Sequence, residues 1–112
     1  MKVRFSMIAM AVFMALSASA LAEEWKDVPM VDTMCSTKAK AKADEHPRSC
    51  ALQCQASGFG IVTPDGTYLK FDAEGNTQAI AALKASKKTD HLRVNVSGQR
   101  EGDTIKVKSL TM

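Results

Sequence analysis

The chain has 112 residues, of which 15 are basic and 12 acidic, so its formal net charge is only +3. Two of the basic residues, Lys2 and Arg4, lie in an N-terminal segment that we expect to be removed. The remaining chain has 13 basic and 12 acidic residues and a net charge of +1. This balance gives no support to a nucleic acid or an anionic membrane surface as a partner.

The first 22 residues have the pattern of a secretory signal peptide. After Lys2 and Arg4 comes an apolar run from Phe5 to Leu16, and small residues then lead to Ala20-Leu21-Ala22. The apolar run is shorter than the about 20 residues that a membrane-spanning helix needs, and the small-x-small ending is typical of a cleavage site. We therefore predict a signal peptide over residues 1–22, cleaved after Ala22, and a periplasmic or secreted protein. No later run is apolar enough to predict a membrane span.

Residues 23–112 are enough for one small domain. A domain of this size has a modest core and often depends on a disulfide or a metal for stability. An exported chain with three cysteines fits that need.

The first part of this domain predicts a strand, a linker and a short helix. Trp25 to Val31 favours a strand at an edge or in an irregular segment, because Pro29 has no N–H to donate. Alternating lysines and alanines from Ser36 to Glu45 are typical of an exposed loop or a frayed helical turn. Pro47 and Gly58 then mark the two ends of a helix.

The second part predicts a hairpin, a second helix and two further strands. Pro64-Asp65-Gly66 between two β-prone runs indicates a hairpin turn, with the apolar residues after it facing inward. We expect Asn76 to cap a helix that runs to about Ser86. Apolar and polar residues then alternate with a period of two, which predicts two half-buried antiparallel strands. The inward residues of these segments are Leu69, Phe71, Leu92, Val94, Val96, Ile105 and Val107.

The resulting order is strand, helix, strand, strand, helix, strand, strand. It predicts a mostly β protein with two short helices, built as a five-stranded OB-like barrel with a cysteine-bearing helix between strands 1 and 2. The alternative is an α+β sheet with two helices on one side.

Several short motifs resemble those of small exported bacterial OB-fold-like proteins of unknown function. They are Asp32-Thr33-Met34-Cys35, then His46 followed by Cys50-Ala51-Leu52-Gln53-Cys54, and finally Val94-Asn95-Val96-Ser97-Gly98 with Gly102-Asp103-Thr104-Ile105-Lys106-Val107. The resemblance covers nearly all of the predicted domain. It implies an exported OB-like domain and no particular activity.

The three cysteines predict a disulfide. Cβ atoms four positions apart on a helix are about 5–6 Å apart, whereas a disulfide needs about 3.8 Å, so Cys50 and Cys54 are poorly placed to pair. We therefore expect Cys35 to pair with Cys50 or with Cys54, which would stabilise the fold by about 3 kcal/mol and leave one thiol over.

A soft-metal site is the alternative use of the same residues. Thiolates and imidazole bind Zn(II) or Cu(I), and the candidate ligands are Cys35, His46, Cys50 and Cys54. His46 and Cys54 would lie about 12 Å apart along a regular helix, too far to meet one ion unless the helix unwinds at its start. The metal hypothesis therefore favours a three-ligand site of Cys35 and Cys50 with either His46 or Cys54.

The composition argues against two other functions, nucleic-acid binding and thiol-dependent catalysis. Only four aromatic residues, Trp25, Phe59, Tyr68 and Phe71, remain for a stacking surface, and export also disfavours nucleic acid. A thiol-dependent enzyme would need a base beside its nucleophile, and His46 could approach Cys50 with Asp32 orienting it. No Cys-x-x-Cys motif or oxyanion-hole loop accompanies them, so we expect no enzyme.

The sequence therefore predicts an exported, non-enzymatic binding or accessory module of the cell envelope, stabilised by a disulfide. Its expected partner is an envelope protein or a small ligand, without nucleic acid and without a cofactor. A protein that binds Zn or Cu through the Cys/His cluster is the alternative.

Overall fold

The structure, a computed structural model, describes residues 22–112, which form a closed five-stranded barrel with three short α-helices. The strands are β1 (Glu23–Asp32), β2 (Phe59–Val62), β3 (Tyr68–Phe71), β4 (Arg93–Glu101) and β5 (Thr104–Thr111). The helices are α1 (Ser36–Ala39), α2 (Arg48–Gln53) and α3 (Ala73–Ala85). The predicted signal peptide lies outside the described residues, apart from its last residue, and stays a prediction.

The order of the strands around the barrel is β1-β2-β3-β5-β4. Neighbouring strands are antiparallel except for β3 and β5, which are parallel. With α3 between β3 and β4, this arrangement confirms the predicted OB-like barrel. The alternative α+β sheet with two helices on one side is wrong, because the strands close on themselves.

The barrel interior is filled by the apolar residues that alternate along the strands. The inward residues predicted on β3, β4 and β5 are all buried, and Leu69, Val94 and Ile105 have no accessible surface. Leu83 and Ala79 of α3 pack into the same core. The period of two therefore identifies the core face of these strands correctly.

Strand β1 changes its partner along its length. Glu23 to Pro29 pairs with β4, whereas Met30 to Asp32 pairs with β2. The register shifts between Trp25 and Val28, where Asp27 has a positive φ of 51°. Pro29 follows this shift and pairs with Arg93 of β4 at the last position before the change of partner, where its missing N–H removes no hydrogen bond to β2.

Helix α3 starts earlier than the sequence predicts, and its cap is Asp72 instead of Asn76. The Asp72 side chain accepts a hydrogen bond from the N–H of Gly75 (3.0 Å), inside the first turn. Asn76 lies within the helix, where its Oδ1 accepts from the N–H of Phe59 (2.8 Å) and ties the helix to β2. The three residues Glu74 to Asn76 therefore belong to the helix and do not separate it from β3.

Gly75 is needed in α3 because the helix approaches the barrel wall closely there. A Cβ at this position would lie 2.4 Å from Val107 Cγ2 and 2.7 Å from Phe71 Cβ. We expect Gly75→Ala to lower the free energy of unfolding by about 1–3 kcal/mol, even though alanine is the better helix former. Urea denaturation with Glu74→Ala as the exposed control measures this. A stabilised Gly75→Ala protein would show that α3 does not pack so tightly.

The segment between β1 and β2 folds over one end of the barrel. Its lysines are exposed, but Ala39 and Ala43 are buried against Val31 and Val62. The segment from Ser36 to Glu45 is therefore helical, as α1 followed by a 3-10 helix at Lys40–Glu45, and it is not merely an exposed loop.

Two arginines fasten the ends of this segment. Arg93 of β4 donates from Nε and Nη2 to the Asp44 carboxylate (2.9 and 2.7 Å), which lowers the pKa of that carboxyl. Arg48, at the start of α2, donates from Nε and Nη2 to the Leu83 carbonyl of α3 (3.1 and 2.9 Å). Residues 45–47 are thus held between two anchored points.

Across residues 22–112, every helix is too short or too polar to cross a lipid bilayer.

Candidate metal centre

The site begins at Asp32, where β1 ends. This carboxylate has no accessible surface, and its Oδ2 accepts a hydrogen bond from the N–H of Cys35 (3.0 Å). It thereby caps the 3-10 turn Thr33–Cys35 in the way that aspartate caps helices. The cap fixes the backbone of Cys35 relative to Asp32.

His46 is brought to the same carboxylate by the end of the 3-10 helix at Lys40–Glu45. The His46 N–H donates to the Ala43 carbonyl (3.2 Å), and the backbone then becomes extended at His46 and Pro47. The ring is 8% exposed, and its Nε2–H donates to Asp32 Oδ1 (2.6 Å). Asp32 therefore orients the imidazole, as buried carboxylates do behind histidines that bind metals.

The possible ligand atoms of Asp32, Cys35 and His46 all lie within 4.8 Å of one another. Donor atoms around a tetrahedral zinc ion are about 3.3 to 3.8 Å apart, given bonds of about 2.0 to 2.3 Å. Cys35 and His46 are thus close enough to share an ion after a small movement, while Asp32 stays hydrogen-bonded to His46. Among residues 22–112, this is the group of three His, Cys, Asp or Glu side chains whose possible ligand atoms lie within 4.8 Å of one another.

Cys54 lies beside this group because α2 ends before it. The helix stops at Gln53, and Cys54 has the non-helical angles φ −101° and ψ 17°. Ser57 Oγ–H donates to the Cys54 carbonyl (2.7 Å) and accepts from the N–H of Met34 (3.1 Å), which joins this segment to the residue before Cys35. The Cys54 thiol is close enough to Cys35 to contribute to the raised pKa of Cys35.

The structure thus brings Cys35 and His46 together, as the metal hypothesis expects, and leaves Cys50 outside the group. Cys50 is half-buried on α2. A regular helix would separate His46 from Cys54 by about 12 Å. That separation does not apply here, because His46 and Pro47 are extended and the helix covers only Arg48–Gln53. This is the unwound helix start that a shared site of His46 and Cys54 requires.

Comparison of the chain with protein-family models, curated proteins and solved structures finds no match. The resemblance to small exported bacterial proteins therefore stays a prediction. The chemistry of the site has to be inferred from its own geometry.

The Cys35 thiol is held in its protonated form. Partial burial and the neighbouring Asp32 carboxylate raise the pKa of Cys35 to about 11, and the Cys54 thiol acts in the same direction. An activated cysteine nucleophile needs the opposite environment, with a lowered pKa.

Cys35 and His46 are accessible from one side. They line a surface cleft of about 280 Å³ together with Lys38, Ala39, Lys42, Glu45 and Pro47. This volume holds several water molecules, since one water occupies about 30 Å³ in the liquid. A small ion can therefore reach the group from solvent without opening the barrel.

Asp32 is the site residue that was not assigned to a metal or disulfide site from the sequence. Its only signal is the spacing Asp-x-x-Cys after a strand, which is also an ordinary helix-cap pattern. Nothing in that spacing shows that its second oxygen meets a histidine 14 residues further on.

Proposed function

We propose that this protein is an exported, non-enzymatic binding module whose ligand is a soft metal ion, Zn(II) or Cu(I). The observation that carries the proposal is the convergence of Asp32, Cys35 and His46 within 4.8 Å at a cleft open to solvent. Periplasmic or secreted location is part of the proposal and rests on the predicted signal peptide.

The donor chemistry favours a soft metal. Cys35 would bind as a thiolate once the metal displaces its proton, His46 offers the ring nitrogen that does not bond to Asp32, and Cys54 supplies a second sulfur nearby. Sulfur and imidazole suit Zn(II) and Cu(I), whereas Mg²⁺ and Ca²⁺ require oxygen ligands. Both oxygens of Asp32 already accept hydrogen bonds, so we assign it the role of orienting His46.

The structural disulfide remains a second candidate, and one observation favours a particular pairing. All three cysteines are free thiols in this structure, and Cys54, not Cys50, lies beside Cys35. A Cys35–Cys54 bridge would close a loop of roughly 20 residues and contribute about 3 kcal/mol. An oxidising compartment outside the cytoplasm would favour its formation.

Zinc binding by the reduced mature protein, measured by competition with a chromogenic chelator, tests the metal proposal. We expect one zinc per chain. Zinc binding should be at least about 100-fold weaker in Cys35→Ser, because this substitution removes a sulfur ligand of the metal. Cys50→Ser is the matched control and should bind as the wild type does. Equal zinc affinity of wild type and Cys35→Ser, with both folded by circular dichroism, would refute the proposal.

A further inference from the structure

We propose that Cys35 and Cys54 form a reversible disulfide that displaces the metal, so that metal binding follows the thiol–disulfide state of the envelope. The inference rests on the proposed function, because Cys35 takes part in both states. The metal site and the disulfide are then two states of the same residues.

Hydrogen bonds hold the two cysteine segments side by side. The N–H of Thr33 donates to the Gly58 carbonyl (2.8 Å), and Ser57 Oγ bridges the Met34 N–H and the Cys54 carbonyl. The residues just before Cys35 are thus bonded to the residues at and after Cys54. A disulfide needs Cα atoms within about 7 Å of each other, which such paired segments allow with little movement.

The position of Cys54 also explains why it is the partner and Cys50 is not. Cys50 lies in the regular part of α2, whereas Cys54 follows the last helical residue and has left the helical conformation. Its thiol interacts with that of Cys35. Both residues are half-buried, so neither lies in the closed core of the barrel.

The oxidant is a small disulfide compound, written RSSR. One protein thiolate attacks RSSR, forms a mixed disulfide and releases one RSH; the second protein thiolate then attacks the mixed disulfide and releases another RSH. Two electrons pass from the cysteine pair to RSSR, and the two thiol protons end on the two RSH molecules. The bridged sulfurs are no longer thiolates, so of the proposed donors only His46 remains, with Asp32 behind it.

Thermodynamic linkage gives the size of the coupling between metal binding and disulfide formation. Metal that binds only the reduced protein opposes bridge formation by the factor 1 + [metal]/Kd. At a metal concentration about 100 times Kd, the equilibrium constant for bridge formation falls about 100-fold. For a two-electron couple this raises the midpoint potential by about 60 mV.

The test equilibrates the mature protein in glutathione redox buffers with and without Zn²⁺, then counts free thiols by alkylation and mass spectrometry. We expect peptide mapping to show a Cys35–Cys54 linkage, a midpoint raised by about 60 mV at 100-fold excess over Kd, and at least about 100-fold weaker zinc binding after oxidation, restored by a reductant. Cys50→Ser should behave as the wild type, whereas Cys54→Ser should stop at the mixed disulfide with glutathione.

When the reduced protein binds zinc, three results would overturn the inference: a bridge that joins Cys35 to Cys50, equal zinc affinity in the two redox states, or a midpoint that zinc does not move. Failure of the proposed function looks different. In that case the Cys35–Cys54 bridge would still form, but the reduced protein would bind no zinc.

Discussion

Val94→Asp should abolish folding of the barrel. Val94 lies near the start of β4 opposite Val28, and its side chain has no accessible surface. An unpaired carboxylate there costs several kcal/mol, which is comparable with the whole stability of a small domain, about 5–15 kcal/mol. Near-ultraviolet circular dichroism and thermal denaturation of the purified protein measure the loss.

The adjacent residue provides the matched control. Asn95 is exposed, and its Oδ1 accepts a hydrogen bond from the N–H of Asp27 (2.9 Å). Aspartate at this position keeps an acceptor oxygen, so Asn95→Asp should leave the melting temperature nearly unchanged. Equal tolerance of aspartate at positions 94 and 95 would contradict the assignment of the barrel's inner face.

Asp32→Ala should cost the protein about 2–4 kcal/mol of stability and should weaken zinc binding as well. The substitution removes the acceptor for Cys35 N–H and the buried partner of His46 at once. Asp32→Asn keeps the shape and one acceptor, so its loss of stability should be smaller. If Asp32 orients His46, Asp32→Asn should still weaken zinc binding by about 10- to 100-fold.

The protein contains an exposed pair of the same chemistry that serves as the control. His91 Nδ1–H donates to Asp90 Oδ1 (2.8 Å), and both side chains are more than half exposed. Asp90→Ala should have little measurable effect on stability and none on zinc affinity, because solvent screens exposed ion pairs. A loss of stability at Asp90 as large as at Asp32 would show that burial does not set the importance of the Asp32–His46 pair.

The fold was predictable where local pattern and tertiary environment agree. Alternation along β4 and β5 reflects one buried face, so Val94, Val96 and Ile105 could be placed correctly from sequence. The start of α3 could not, because Asp72 and Asn76 are both good caps. In the structure Asp72 caps the helix, and the Asn76 side chain instead accepts a hydrogen bond from Phe59 N–H, which is a contact between separate elements.

The site was predictable only in part for a similar reason. Cys35 and His46 could be proposed together from residue type and compartment, but the assumption of a regular helix from Pro47 to Gly58 placed Cys50 among the ligands. The helix ends instead at Gln53, which moves Cys54 toward Cys35. Asp32 joins the site because β1 buries its last residue beside His46, and no local pattern encodes that meeting.

X-ray absorption at the zinc edge of the reduced, zinc-loaded mature protein tests the metal centre most directly. We expect sulfur ligands at about 2.3 Å and nitrogen at about 2.0–2.1 Å, with fewer sulfur ligands in Cys35→Ser and an unchanged spectrum in Cys50→Ser. A shell of nitrogen and oxygen alone, unaffected by Cys35→Ser, would contradict the assignment of this cluster as a soft-metal site.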